Sequence, residues 1–117
     1  MASATFRSGT PQMVDYTPGA NVAAGDVVLL GNSAGITCGV AHVPIANGVL
    51  GALAVRGGIY EMINLNNAAN YAKVYWDPAT PTKVTTTSTN NAMFGFIASG
   101  GGGGANSTCR VLHEPLV

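Results

Sequence analysis

Apolar residues in this chain come in short runs separated by small and polar turn residues, and two segments repeat one phrase. Residues 14–31, VDYTPGANVAAGDVVLLG, and residues 66–77, NNAANYAKVYWD, each pass from a small-residue turn into a run of Val with aliphatic or aromatic side chains, then back to a turn residue. Turn signals recur every eight to twelve residues or so, the rhythm of an all-β sandwich or barrel. Thr17-Pro18-Gly19 is one of them, because proline fixes φ and glycine accepts positive φ. The pattern predicts strands near residues 26–30, 35–43, 48–55, 58–63, 72–76, 83–87, 93–99 and 108–114. Residues 20–24 and 65–71 could form short helical turns, but Gly25 and the asparagines are poor interiors for anything longer.

The expected fold class is therefore all-β: a single compact barrel or sandwich-like domain of short strands over residues 13–117. Residues 1–12, small and polar apart from Phe6 and closed off by Pro11, read as an extended N-terminal arm. Hairpin loops are expected at 32–35 and 77–81. Alternation across the strand at 72–76 puts Val74 and Trp76 on one face and Lys73 and Tyr75 on the other, with Trp76 at least partly buried. Five consecutive glycines at 100–104 lose the most backbone entropy on ordering, so a mobile loop is expected between the last two strands.

Composition narrows the partners. Only 9% of the 117 residues are charged, against about 25% in an ordinary soluble domain. Five basic residues balance five acidic ones, whereas a free monomer usually keeps its net charge away from zero. Much of the surface is thus expected to be covered by other protein. Arg7, Arg56, Lys73, Lys83 and Arg110 stand singly, so no basic stripe points to nucleic acid. The N-terminal MASATFRSGTPQ lacks a secretory apolar stretch and the longest apolar run is far too short to cross a bilayer, so a cytosol-like compartment and no membrane partner are expected.

Candidate chemistry is sparse. Cys38 and His42, and Cys109 and His113, form two C-x3-H units that together match a Cys2His2 zinc inventory. On strands each unit spans roughly 13 Å, so neither chelates as a pair. Even if Cys38 met His113 across antiparallel strands, two half-sites would result. Buried thiols with rim histidines are expected, without metal or cofactor. A Cys38–Cys109 disulfide would close a long loop, worth up to about 4 kcal/mol, but a cytosolic setting disfavours it. Gly31-Asn32-Ser33-Ala34-Gly35 matches G-x-S-x-G in letters, yet that motif needs a strand-to-helix turn and here strand leads to strand. The glycine run lacks the lysine, hydroxyl residue and helix of a phosphate loop. No constellation supports an enzyme.

Read together and in order, Val14 to Ala20, Val22 to Val28, Gly51 to Val55 with Gly57-Gly58-Ile59-Tyr60, Ala72 to Asp77, and Gly95-Phe96 give a chain that resembles the small capsid cement or decoration proteins of tailed bacteriophages. The resemblance runs from about Met13 to the C-terminus and leaves out the glycine run and the Cys and His pairs. It implies a structural virion protein on the outer surface of an icosahedral head, bound to the major capsid protein, made in the host cytoplasm, and associating as a dimer or trimer. Candidate contact residues are Thr5, Phe6, Arg7, Met13 and Tyr75, with Phe6 as an aromatic anchor for the arm and Arg7 pairing with an acidic group. The alternative is a carbohydrate-binding β-module that stacks sugar on Tyr60, Tyr71 and Tyr75.

Overall fold

A computed structural model describes residues 4–30, 37–76, 83–88 and 91–114. Among these, eight strands and no helix are present: β1 (Thr5–Tyr16), β2 (Val27–Leu30), β3 (Thr37–Val40), β4 (Gly51–Asn64), β5 (Lys73–Trp76), β6 (Lys83–Thr85), β7 (Ala92–Ser99) and β8 (Ser107–His113). The all-β expectation is met, and the architecture is a closed five-stranded barrel with extra strands. The ring runs β4-β6-β5-β7-β8 and closes where β8 pairs antiparallel with β4 from Ile59↔Leu112 to Asn64↔Ser107.

Period-two alternation fills the barrel. Tyr60, Met62 and Asn64 of β4, Val74 and Trp76 of β5, and Cys109, Val111 and His113 of β8 point inward and are buried, while their neighbours face out. Asn64 is a polar residue in this core, and both ends of its amide are used. Its Nδ2 donates to the Ala68 carbonyl at 2.9 Å and its Oδ1 accepts from the Ala68 amide at 2.9 Å, which closes the turn after β4.

Strands β2, β3 and the first half of β4 extend the sheet beyond the barrel and are covered on both faces. One face, with Val27, Leu29, Cys38, Val40 and Ala54, continues the barrel core. The opposite face, with Val28, Leu30, Ala41 and Leu53, forms a second small core with Ile45, Val22 and Tyr16. Burial on both sides explains why β2 reads as the unbroken run VVLL with no polar alternation.

The second core is roofed by two loops pinned to each other. Val22 and Ile45 exchange a pair of backbone hydrogen bonds at 2.9 Å, Gly48 N–H donates to the Pro18 carbonyl at 2.9 Å, and Asn47 N–H donates to Asn21 Oδ1 at 2.9 Å. The expected strands at 35–43 and 48–55 are accordingly shorter: β3 ends at Val40 and β4 begins at Gly51. Pro44 and the Asn47-Gly48 turn, closed by Val49 N–H to the Ala46 carbonyl at 3.0 Å, hold residues 42–50 out of the ladder.

Two expected strands merge. Residues 48–55 and 58–63 lie in the single strand β4, because Gly57 at φ +92° bends it without ending it. Opposite, Gly9 at φ +101° bends β1 at the same place, and the register slips between Gly9 and Gln12. A Cβ on Gly9 would lie 2.5 Å from the Gly57 carbonyl oxygen and one on Gly57 would lie 2.8 Å from the Thr10 oxygen, so the paired bulge needs glycine on both sides.

Residues 5–12 are extended, as expected of an arm, but they belong to β1, which runs on to Tyr16 and is paired with β4 along its length. The register shifts between Gln12 and Met13 without ending the strand. The glycine run is also held, contrary to the mobile loop expected. Gly101 N–H donates to Asn70 Oδ1 and Gly104 N–H to Asn67 Oδ1, each at 2.8 Å, and Gly102 N–H donates to the Ala68 carbonyl at 2.9 Å. The asparagine-rich segment expected as a helical turn is thus the frame for this loop. The loops at 32–35 and 77–81 lie outside the described residues, but the antiparallel pairs they join, β2–β3 and β5–β6, are present.

Gly95 sits where β7 presses on β8, and a Cβ there would overlap the Leu112 carbonyl oxygen. Gly95→Ala should destabilise the fold by about 3 kcal/mol, the upper end for overpacking, and lower the melting temperature by roughly 10 °C. Thermal unfolding followed by circular dichroism checks this.

Candidate functional site

A column of rings runs from the surface into the barrel. Phe6 on β1 lies 4.7 Å from His42 and 5.7 Å from Tyr60, centroid to centroid. Tyr60 meets Phe94 edge-on at 6.2 Å and His113 at 5.9 Å, and Phe94 stacks on His113 at 4.5 Å. The Tyr60 hydroxyl and His42 Nε2 are hydrogen-bonded at 2.6 Å. A cavity of about 220 Å³ opens beside Phe6, His42 and Tyr60, walled by Ala4, Val40 and Ala41. Such tilted and stacked ring pairs add about 0.5–1.5 kcal/mol each beyond area burial, so the column ties the start of β1 to the barrel.

The electrostatics of the column oppose charge. His113 is fully buried, and its Nε2–H donates to the Cys38 carbonyl at 2.8 Å. Its Nδ1 has no partner among the described residues. Burial pushes its pKa down to about 4, with the Cys38 hydrogen bond raising it and His42 lowering it further. Burial also lowers His42 and raises the Tyr60 hydroxyl, so both are neutral near neutral pH. Between about pH 6.5 and 4 the unfolded chain binds a proton at residue 113 that the native protein excludes.

Each C-x3-H unit splits. Cys38 Sγ lies 4.0 Å from His113 Nε2, the half-meeting considered from the sequence, but that ring nitrogen is used on the Cys38 carbonyl. Cys109 is buried in β8, and among the described residues no group of three His, Cys, Asp or Glu could hold a metal. Both thiols are free and buried, and desolvation raises Cys38 to about 12 and Cys109 to about 11, which suppresses the reactive thiolate. Residues 31–35, with Ser33, lie outside the described residues.

The five candidate contact residues do not form one patch. Thr5, Phe6, Arg7 and Met13 are exposed along β1, while Tyr75 is half-buried on β5, across the barrel wall. Phe6 packs on its own chain and is still 41% exposed, and Arg7 Nη2 pairs with Glu61 Oε2 of its own chain at 3.0 Å. The sugar-stacking trio is broken, because Tyr60 is fully buried at the centre of the column. Tyr71 is 75% exposed, at φ +69°.

Sequence reasoning missed two groups. Residues His42 and Tyr60 meet only because β4 carries Tyr60 inward beneath the end of β3. The exposed apolar residues Val43, Val49 and Leu50 fall inside the strands expected at 35–43 and 48–55, although Pro44 and Asn47-Gly48 between them are turn signals.

The described chain is thus a β-barrel with a column of packed rings, two buried thiols and an exposed outer strand. A family model described as phage cement protein matches residues 8–113, and the chain belongs to that family. Its role is structural, as a cement of the phage capsid. No curated protein and no solved structure matches the chain. The family match includes Met13 and Tyr75 but begins after Thr5, Phe6 and Arg7.

Two measurements test this account. Native stability should fall by about 3 kcal/mol as pH drops from about 6.5 to about 4, following the His113 shift, and the His113→Gln variant should lose most of that slope. Urea denaturation across that range reads it. Alkylation with iodoacetamide should leave Cys38 and Cys109 untouched in the native protein and label two thiols per chain after denaturation without reductant, as intact-mass measurement would show.

Proposed function

We propose that this cement protein acts on the outer surface of an icosahedral head by contact with the major capsid protein, as a dimer or trimer, and without catalysing a reaction. On this reading it is made in the host cytoplasm and joins the head during assembly. The family match over residues 8–113 carries the reading. Two features support it. A chain with only 9% charged residues suits a subunit packed among others, since charge is depleted at interface cores. Weak contacts repeated over a closed shell also add up by avidity, so no single tight site is required.

In this proposal β1 contributes Thr5, Phe6, Arg7 and Met13 to the contacts and β5 contributes Tyr75. The column braces β1 in advance, which reduces the ordering cost of docking. Arg7 is already paired to Glu61 on an exposed surface, so Arg7→Ala should change fold stability by less than about 1 kcal/mol.

Purified protein added to heads that lack it should bind at a regular position seen by particle imaging and should raise the temperature at which the heads release DNA. Heads that remain bare, or that gain no heat resistance when decorated, would refute the reading. Phe6→Ala should lower occupancy while leaving the barrel folded.

A further inference from the structure

Among the asparagines of this chain only Asn47 is followed by glycine. The pair forms the tip of the Ala46–Val49 turn, and the turn needs it. Gly48 has φ +77°, and a positive φ at the third position of a turn calls for glycine. Both residues are exposed, and a Cβ at Gly48 would meet nothing within 4 Å, so the backbone angle and not crowding selects glycine there.

This dipeptide carries a reaction of its own. The Gly48 backbone nitrogen is placed along the chain so that attack on Cγ of Asn47 closes a five-membered ring. The N–Cγ bond forms, the Cγ–Nδ2 bond breaks, and Nδ2 leaves as ammonia with the proton that Gly48 gives up. Water then opens the succinimide at either carbonyl, to aspartate or to isoaspartate, whose backbone runs through the former side chain. Glycine leaves the attacking nitrogen least hindered, whereas every other asparagine here precedes a residue with a side chain.

The fold withholds that nitrogen. The Gly48 N–H that must be given up donates to the Pro18 carbonyl at 2.9 Å, and the Asn47 N–H donates to Asn21 Oδ1 at 2.9 Å. Val22 and Ile45, next to these pins, exchange their own pair of bonds, and Ile45 is buried in the second core. Freeing Gly48 therefore requires the roof turn to lift from the loop at 18–22, and the rate in the native protein follows the fraction of time it is open. The product would undo the roof in turn. Isoaspartate adds a carbon to the backbone between residues 47 and 48, so the Ala46–Val49 turn and the Gly48–Pro18 bond could not both keep their geometry.

We propose that Asn47-Gly48 is the site at which this protein deamidates spontaneously, and that the Gly48–Pro18 and Asn47–Asn21 bonds hold the reaction in check while the roof is closed. A finished particle makes no new protein, so slow chemical change in a cement accumulates. The proposal does not depend on where the protein docks.

The test incubates purified protein in mildly alkaline buffer, native or unfolded in guanidinium chloride, and locates the amide-to-acid mass change by peptide mapping with fragmentation that separates aspartate from isoaspartate. In the unfolded chain Asn47 should convert before any other asparagine. In the native protein its conversion should be at least about tenfold slower, the factor for a turn open about one part in ten or less. Asn21→Ala removes one pin and keeps the Asn-Gly pair, so it should raise the native rate severalfold and leave the unfolded rate unchanged. The isolated isoaspartate form should melt below the wild type, whereas Asn47→Asp, which adds the charge without lengthening the backbone, should melt within a few degrees of it. Another asparagine converting first in the unfolded chain would overturn the site. A native rate equal to the unfolded one, or an Asn21→Ala native rate equal to that of the wild type, would overturn the check, and an isoaspartate form as stable as the wild type would overturn its effect on the roof.

Discussion

Strand β4 is hydrogen-bonded on both edges, and the other strands are placed by it directly or through one neighbour. Ala54 pairs with Met13 on one side and Val40 on the other, Tyr60 with Phe6 and Val111, and Asn64 with Val84 and Ser107. One edge therefore takes β1 and then β6, while the opposite edge takes β3 and then β8. The first half of the strand builds the two-sided extension and the second half is a stave of the barrel. A strand shared this way couples the two cores: Leu53 faces the second core and Ala54, the next residue, faces the first. Any shift of β4 by one residue would exchange those faces.

The bend at Gly57 reconciles the two halves. A straight strand of fourteen residues cannot both curve around a five-stranded barrel and lie flat under the roof loops, so the backbone turns where glycine permits it, with Gly9 turning opposite. Tyr60 then enters the barrel three residues beyond Gly57, where it joins the column that carries Phe6, His42, Phe94 and His113. The neutral state of those histidines follows from the burial that the bend creates. Structure, protonation and the exposed surfaces are in this sense consequences of one strand.

For a capsid cement this division of labour makes physical sense. The barrel holds the fold, with every polar group of Asn64 used, and the extension displays braced loops and an outer strand at modest cost in charge. Few charges on the surface would be a liability for a protein that remained free, because colloidal repulsion is weak at zero net charge. The same feature favours a subunit that works while covered.

Much of the fold was legible along the chain. Small-residue turns at 17–25 and 65–72 do lead into β2 and β5, Val74 and Trp76 do point inward, and the all-β class follows from turn spacing and alternation, which are local properties of two-fold periodic backbone. The family likeness was legible for the same reason, since it is carried by these ordered turn and strand segments. Pairing partners were not legible: that β1 lies along β4, that β4 passes through Gly57, and that Asn67 and Asn70 hold the glycine run all depend on residues far apart in sequence. The candidate contacts suffered most. Phe6 looked like an isolated aromatic and is seated on His42 and Tyr60, while Val43, Val49 and Leu50 looked like strand interior and are on the surface. Local pattern determines which residues can alternate and where the chain can turn, but which face meets solvent is set by what packs against it, and only the tertiary structure supplies that neighbour.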